Sequence, residues 1–236
     1  MTEQEGPPLT KRQAAVDVLL TIALVPVCSI TAGVVVGALS GGEPSLAAIV
    51  FIQALLVLAG VGMLLEWRAQ RWSQIGLHAP ERRDLARALL VLLSGFAVNA
   101  VLTYSVAALS PQTVEEHLEG LRPIALGLTE GTPLVVTLAL LVVVGLYEEI
   151  LARGLLLTRA RQLLGGVWAP VALSAVLFSL GHFYQGLFGM VQTALYGAVL
   201  AVFTIRWGTL WPAIIAHSAF NTLSVVQLGQ VSSPGG

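Results

Sequence analysis

Apolar runs of near-membrane length follow one another through almost the whole sequence, and no other feature constrains the fold as much. They lie near 14–39, 46–66, 87–109, 133–157, 169–183, 187–206 and 209–227. A helix needs about 20 residues to cross roughly 30 Å of hydrocarbon, and most of these runs approach that length. The fifth is short and ends at Gly181 and His182, which leaves room for an eighth span or a re-entrant piece. A chain in lipid has to satisfy its own backbone hydrogen bonds, as helices do, and the strand alternation of a membrane barrel is absent. The expected fold is all-α: a polytopic transmembrane bundle of about seven, or eight, spans. Composition agrees, because 56% hydrophobic and 11% charged residues among 236 leave too little polar surface to cover a water-soluble globule.

The chain 1–236 reads as a single integral-membrane domain with a polar N-terminal tail, 1–13, and no internal repeat. Gly41, Gly42 and Pro44 punctuate the first connection, Ser110, Pro111 and residues 131–133 bracket the third, and Gly165 with Gly166 marks a tight turn. Lys11 and Arg12 precede the first run; Arg68, Arg71, Arg82, Arg83 and Arg87 separate the second from the third; Arg159 and Arg161 follow the fourth, and Arg206 the sixth. These are alternate loops. The others hold Glu43, Glu115, Glu116, Glu119 and Glu130 with a single cation, Arg122. Since basic residues near span ends stay cytoplasmic, the N-terminus is expected in the cytoplasm and the closing VSSPGG outside. Residues 72–85, WSQIGLHAPERRDL, are expected along the cytoplasmic interface with Trp67 and Trp72 as anchors.

The opening MTEQEGPPLTKR is too polar and acidic for a secretory leader, so the first run is expected to be retained. Compact length and the lack of an organelle signal favour a multi-pass protein of a bacterial inner membrane. The one cysteine, Cys28, lies in an apolar run and reads as a small packing residue. A net charge of -1 argues against nucleic acid as a partner; the bilayer itself is the first partner.

The segment GLYEEILARG, 145–154, places three ionisable groups directly after PLVVTLALLVVV and before LLL. A charge at membrane depth costs a few kcal/mol and normally faces a bundle interior or a wet cavity. Glu149 and Arg153 stand at i, i+4 with the acid first, the better order for a helical ion pair. Glu148 points about 100° away around the helix and has alanine at its own i+4 position. Left without that partner, it suits a group that takes and returns protons.

Among the histidines, His78 and His117 are expected in loops, while His182 and His217 fall in or at apolar runs. Glu148 lies 17 residues before Gly165 and His182 lies 16 after Gly166. A helical hairpin about that turn would bring the two to one level, where they could meet. His217 and Asn221 share a face at i, i+4, as do Phe178 and His182. Ser179 and Ser218 read as small helix-packing residues.

These residues carry a resemblance. EEILAR at 148–153 is similar to the Glu-Glu-x-x-x-Arg motif of the CAAX protease and bacteriocin-processing (CPBP) family of intramembrane endopeptidases, which includes the type II CAAX prenyl endopeptidases. FSLGH at 178–182 resembles its Phe-x-x-x-His motif and HSAFN at 217–221 its His-x-x-x-Asn motif. WGTLWPAIIAH, 207–217, echoes the usual lead-in to the last. The resemblance implies a peptidase whose catalytic residues are Glu148, His182, His217 and Asn221. In that scheme Glu148 and His182 activate water, His217 and Asn221 stabilise the oxyanion, and Glu149, Arg153 and Phe178 support the site. It implies a core of catalytic spans over 133–227. As substrates it implies peptides or proteins such as prenylated CAAX peptides, leader peptides or membrane-protein tails.

No cofactor is expected to be obligatory. The sequence lacks His-Glu-x-x-His, and if a divalent metal such as zinc is used, Glu148, His182 and His217 are its candidate ligands. Two other classes compete with the peptidase: a small proton-coupled transporter using the same buried groups, and a non-catalytic membrane scaffold or immunity protein that keeps the motif.

Overall fold

A computed structural model describes residues 9–230, without the side chains of 229 and 230. Residues 1–8 and 231–236, and so most of the polar tail and the VSSPGG end, lie outside the described residues. The chain forms α1 (Lys11–Ser40), α2 (Leu46–Trp67), a 3₁₀ turn (Trp72–Ile75), α3 (Arg82–Leu109), α4 (Pro111–Thr129) and α5 (Leu134–Glu149). A π-helical segment (Ile150–Leu156), α6 (Leu157–Leu164), α7 (Trp168–Leu180), a second 3₁₀ turn (Phe183–Gln185), α8 (Gly186–Trp207) and α9 (Trp211–Gln230) complete it.

The helix ends follow local chemistry. Thr10 caps α1 with a capping box, accepting from the Gln13 backbone while the Gln13 side chain accepts from the Thr10 backbone. Gly41 ends α1, and Gly208 ends α8, each in the left-handed conformation that only glycine adopts without strain. Within α1 the buried stripe is Ala14, Asp17, Val18, Thr21, Cys28, Ala32 and Val36, while Leu19, Ile30 and Val34 face outward. A helix apolar on its outer face, with its polar residues turned inward, belongs in lipid.

The protein is a multi-pass, all-α membrane bundle. Among the described residues five helical stretches are long and apolar enough to cross a bilayer: Lys11–Ser40, Leu46–Trp67, Arg82–Leu109, Leu134–Leu164 and Phe183–Trp207. Against an expectation of about seven, or eight, spans, five of the runs meet that length and hydropathy. The fifth apolar run becomes α7, whose 13 residues rise only about 20 Å. The last becomes α9, whose inward polar residues, His217, Ser218 and Asn221 among them, lower its hydropathy.

One expectation is corrected. The acidic third connection is largely helical: α4 begins with Pro111 at its first turn and carries His117, which is therefore not a loop residue. Arg68 and Arg159, placed by the sequence after the second and fourth runs, are engaged within the bundle. Both converge on Asp17 of α1: Arg68 Nε and Nη2 donate to its Oδ1 at 2.9 and 2.7 Å, and Arg159 Nε donates to its Oδ2 at 2.8 Å. Arg159 also donates to Gln70 Oε1. Residues 72–78 are tied to the start of α9. Ile75 is buried, Gly76 O accepts from the Leu210 backbone, and His78 O accepts from Trp211 Nε1.

The centre of the bundle is α5, which packs against α2 on one side and α9 on another. The π segment continuing it touches α1, α2, α7 and α8. A shared core of Val57, Val61 and Leu65 from α2, Tyr147, Ile150 and Leu155 from the α5–π run, and Ile214 from α9 fixes these positions.

Candidate functional site

Glu148 and Glu149 are the last two residues of α5 before winding changes. Over Ile150–Leu156 the helix adopts the wider i→i+5 pattern, a feature often found at functional positions. Arg153 sits inside that segment, and its Nη1 reaches back to donate to Glu149 Oε1 at 2.8 Å with both side chains fully buried. The ion pair read from the spacing is therefore present. Its charge is sealed further by Phe178, whose ring centroid lies 4.2 Å from the guanidinium carbon. Gly197 of α8 makes room for the same group, since a Cβ there would come within 2.7 Å of Arg153 Nη2.

His217 enters from α9. Its Nδ1 lies 2.8 Å from the same Glu149 oxygen. Paired with an arginine, Glu149 is a carboxylate and can only accept, so Nδ1 donates and Nε2 is the outward nitrogen. That Nε2 is 3.6 Å from Glu148 Oε2. Phe178 and Tyr196 stand at right angles to the imidazole, with centroids 5.9 and 5.8 Å away, fixing its plane from two sides.

Glu148 differs from its neighbour in access: its side chain keeps 16% exposure while that of Glu149 keeps none. It is the carboxylate that an incoming group can reach. It is also not left over, as the sequence suggested, since it accepts from the Tyr147 hydroxyl at 3.2 Å and faces His217. The histidine at 3.6 Å from it comes from α9. His182 lies just past α7, partly buried, with Nδ1 donating to Phe178 O at 2.9 Å and its ring 4.7 Å from that of Phe178. Its Nε2 is thereby left with the lone pair. Asn221, one turn beyond His217, is partly buried. Ser218 is buried against Gly145, where a Cβ would collide with it, in keeping with a packing role.

The structure thus joins Glu148, Glu149, Arg153, Phe178 and His217 directly and ties His182 to them through Phe178. Two participants were not singled out from sequence, Tyr147 and Tyr196. The adjacency of Tyr147 to the glutamates was the available signal for the first; nothing local marks the second. As for metal ligands, Glu148 Oε2 and His217 Nε2 lie 3.6 Å apart, and no group of three or more His, Cys, Asp or Glu side chains placed to hold a metal ion is found among the described residues.

A carboxylate–imidazole–carboxylate arrangement held by an arginine inside a helical bundle defines the class, a multi-pass membrane protein with a largely buried polar site. Residues 130–223, from the approach to α5 through most of α9, match the family model described as Type II CAAX prenyl endopeptidase Rce1-like. Over that stretch, less than half of the 236 residues, the chain is similar to Rce1-like CAAX proteases. No curated protein and no solved structure matches the chain.

Proposed function

We propose that the protein is an intramembrane endopeptidase that hydrolyses a peptide bond with water activated by Glu148. The observation that carries this reading is the accessible Glu148 facing His217 across 3.6 Å, inside the segment that matches the protease family.

Glu148 takes a proton from water as its oxygen attacks the scissile carbonyl carbon, and His182 is the second group at that water. The carbonyl electrons move to oxygen, giving a tetrahedral oxyanion, which His217 and Asn221 stabilise by hydrogen bonds. For His217 Nε2 to donate, the ring must hold both protons, and Glu149 beside Nδ1 supplies the balancing negative charge. When the carbon–nitrogen bond breaks, Glu148 returns its proton to the leaving amine. Glu149 and Arg153 position the imidazole, and Phe178 packs over the cation.

The catalytic core is assigned to 133–227, with α1 and α3 as surrounding scaffold. A largely apolar cleft of about 430 Å³, lined by Leu58, Trp72, Leu77, Leu146, Ile150 and Trp211, borders the α5–π run that carries Glu148 and suits a lipidated or strongly apolar peptide. Prenylated CAAX peptides, leader peptides and membrane-protein tails are the substrate classes proposed. The exposed Arg71, Arg82, Arg83, Arg161 and Arg206 support a cytoplasmic N-terminus in a bacterial inner membrane. No protein-held metal is assigned to the reaction.

The test is cleavage of quenched peptides, plain and prenylated, by the purified chain in nanodiscs, with and without chelator. Cleavage lost in Glu148→Ala and kept with chelator is expected. Equal inertness of folded parent and mutant overturns the reading in favour of a scaffold, and ion flux without cleavage overturns it in favour of a transporter.

A further inference from the structure

The Tyr147 hydroxyl lies between two partners. Gln53 Nε2 of α2 is 3.4 Å from it, and Glu148 Oε1 is 3.2 Å away on the other side. An amide nitrogen only donates, so the phenol oxygen accepts from Gln53 and its own proton is free for Glu148, which as a carboxylate only accepts. The relay has one direction, from α2 through Tyr147 to the carboxylate. Tyr147 is itself 6% exposed and packed in the core with Val57, Val61 and Ile150, so its ring has nowhere else to turn.

The two oxygens of Glu148 are consequently unlike. Oε1 receives the Tyr147 proton, while Oε2 faces His217 Nε2. The last torsion of a glutamate is broad and nearly two-fold, so without a grip on one oxygen the carboxylate presents either, over a range of angles. We propose that Tyr147 is a positioning residue for Glu148, holding Oε1 so that Oε2 is the oxygen that takes the proton from water, and that Gln53 sets the direction of the Tyr147 hydroxyl. The inference rests on the peptidase reading above. It also brings a residue of α2, outside the family-matched stretch 130–223, into the control of the site.

The experiment compares the full chain in nanodiscs with Glu148→Ala, Tyr147→Phe, Gln53→Leu and the Tyr147→Phe, Gln53→Leu double variant, after checking that thermal unfolding midpoints match. Tyr147→Phe is expected to lower kcat on the order of tenfold, as loss of alignment does, with KM unchanged. Gln53→Leu is expected to lower kcat by less, and the double variant to be no slower than Tyr147→Phe alone, because Gln53 acts only through that hydroxyl. A Tyr147→Phe enzyme with parental kcat, a change confined to KM, or a double variant whose loss is the product of the two single losses each overturns the inference while leaving Glu148-dependent cleavage standing. A parent that does not cleave at all removes the peptidase reading and this inference with it. If Tyr147→Phe fails to fold, Gln53→Leu decides alone, since parental kcat there overturns the directional relay.

Discussion

His217 Nδ1 and Arg153 Nη1 meet on one oxygen of Glu149, each at 2.8 Å. A single buried carboxylate thus joins the π segment of one helix to α9, and holds the imidazole whose other nitrogen looks at Glu148. Charge pairing and the placement of the imidazole share one atom, so disturbing either affects both.

Removing the cation shows this first. Arg153→Ala leaves Glu149 buried without its ion-pair partner, which for a buried pair costs about 3–5 kcal/mol. Both the unfolding midpoint in detergent and peptide cleavage are expected to fall, and a variant with the parental midpoint contradicts the pairing.

Glu148→Ala is expected to behave oppositely. The side chain is partly exposed and stands outside the Glu149–Arg153 pair, so the midpoint should stay close to the parent while cleavage is abolished. A large loss of stability would show that Glu148 holds the bundle together instead of acting at its surface.

Gly197→Ala tests the fit around the guanidinium. The added methyl meets Arg153 Nη2 and, at 3.4 Å, the Phe178 ring. Overpacking of this kind costs about 1–3 kcal/mol, and here it should also lower kcat by tilting the Arg153–Glu149–His217 unit. Unchanged kinetics and stability would mean that the arginine has room to move.

Asp17→Asn separates stability from chemistry. It removes the anion shared by Arg68 and Arg159, and loss of one member of a buried ionic group costs about 3–5 kcal/mol. Because Asp17 is not in contact with Glu148 or His217, kcat per folded molecule should be unchanged, as judged by activity normalised to the folded fraction.

Much of this site was legible because helical spacing is a local property. The i, i+4 relation of Glu149 to Arg153 and the shared face of Phe178 and His182 hold in the structure as the sequence implied. What was not legible depends on packing between helices. The turn at Gly165 pointed to His182 as a group that could meet Glu148, whereas the approach of α9 to α5, which sets His217 Nε2 3.6 Å from Glu148, could not be read from spacing. The π segment has no residue signature in ILARGLL, and it alters which side chains share a face beyond Glu149. Asp17 was readable in principle, as a lone acid inside an apolar run, whereas its pairing with Arg68 and Arg159 required three helices to be placed together. Gln53 was invisible for the same reason, since only the approach of α2 to α5 makes it a neighbour of Tyr147.

The Asp17 cluster also bears on how the chain is made. Asp17 precedes Arg68 by 51 residues and Arg159 by 142. During synthesis the first span therefore enters the bilayer bearing an acid whose partners do not yet exist. Arg68 arrives with the end of α2 and neutralises one oxygen; the second oxygen waits until α6 has been translated. The three-way pairing at Asp17 can therefore be completed only after the segment bearing Glu148 has itself been translated.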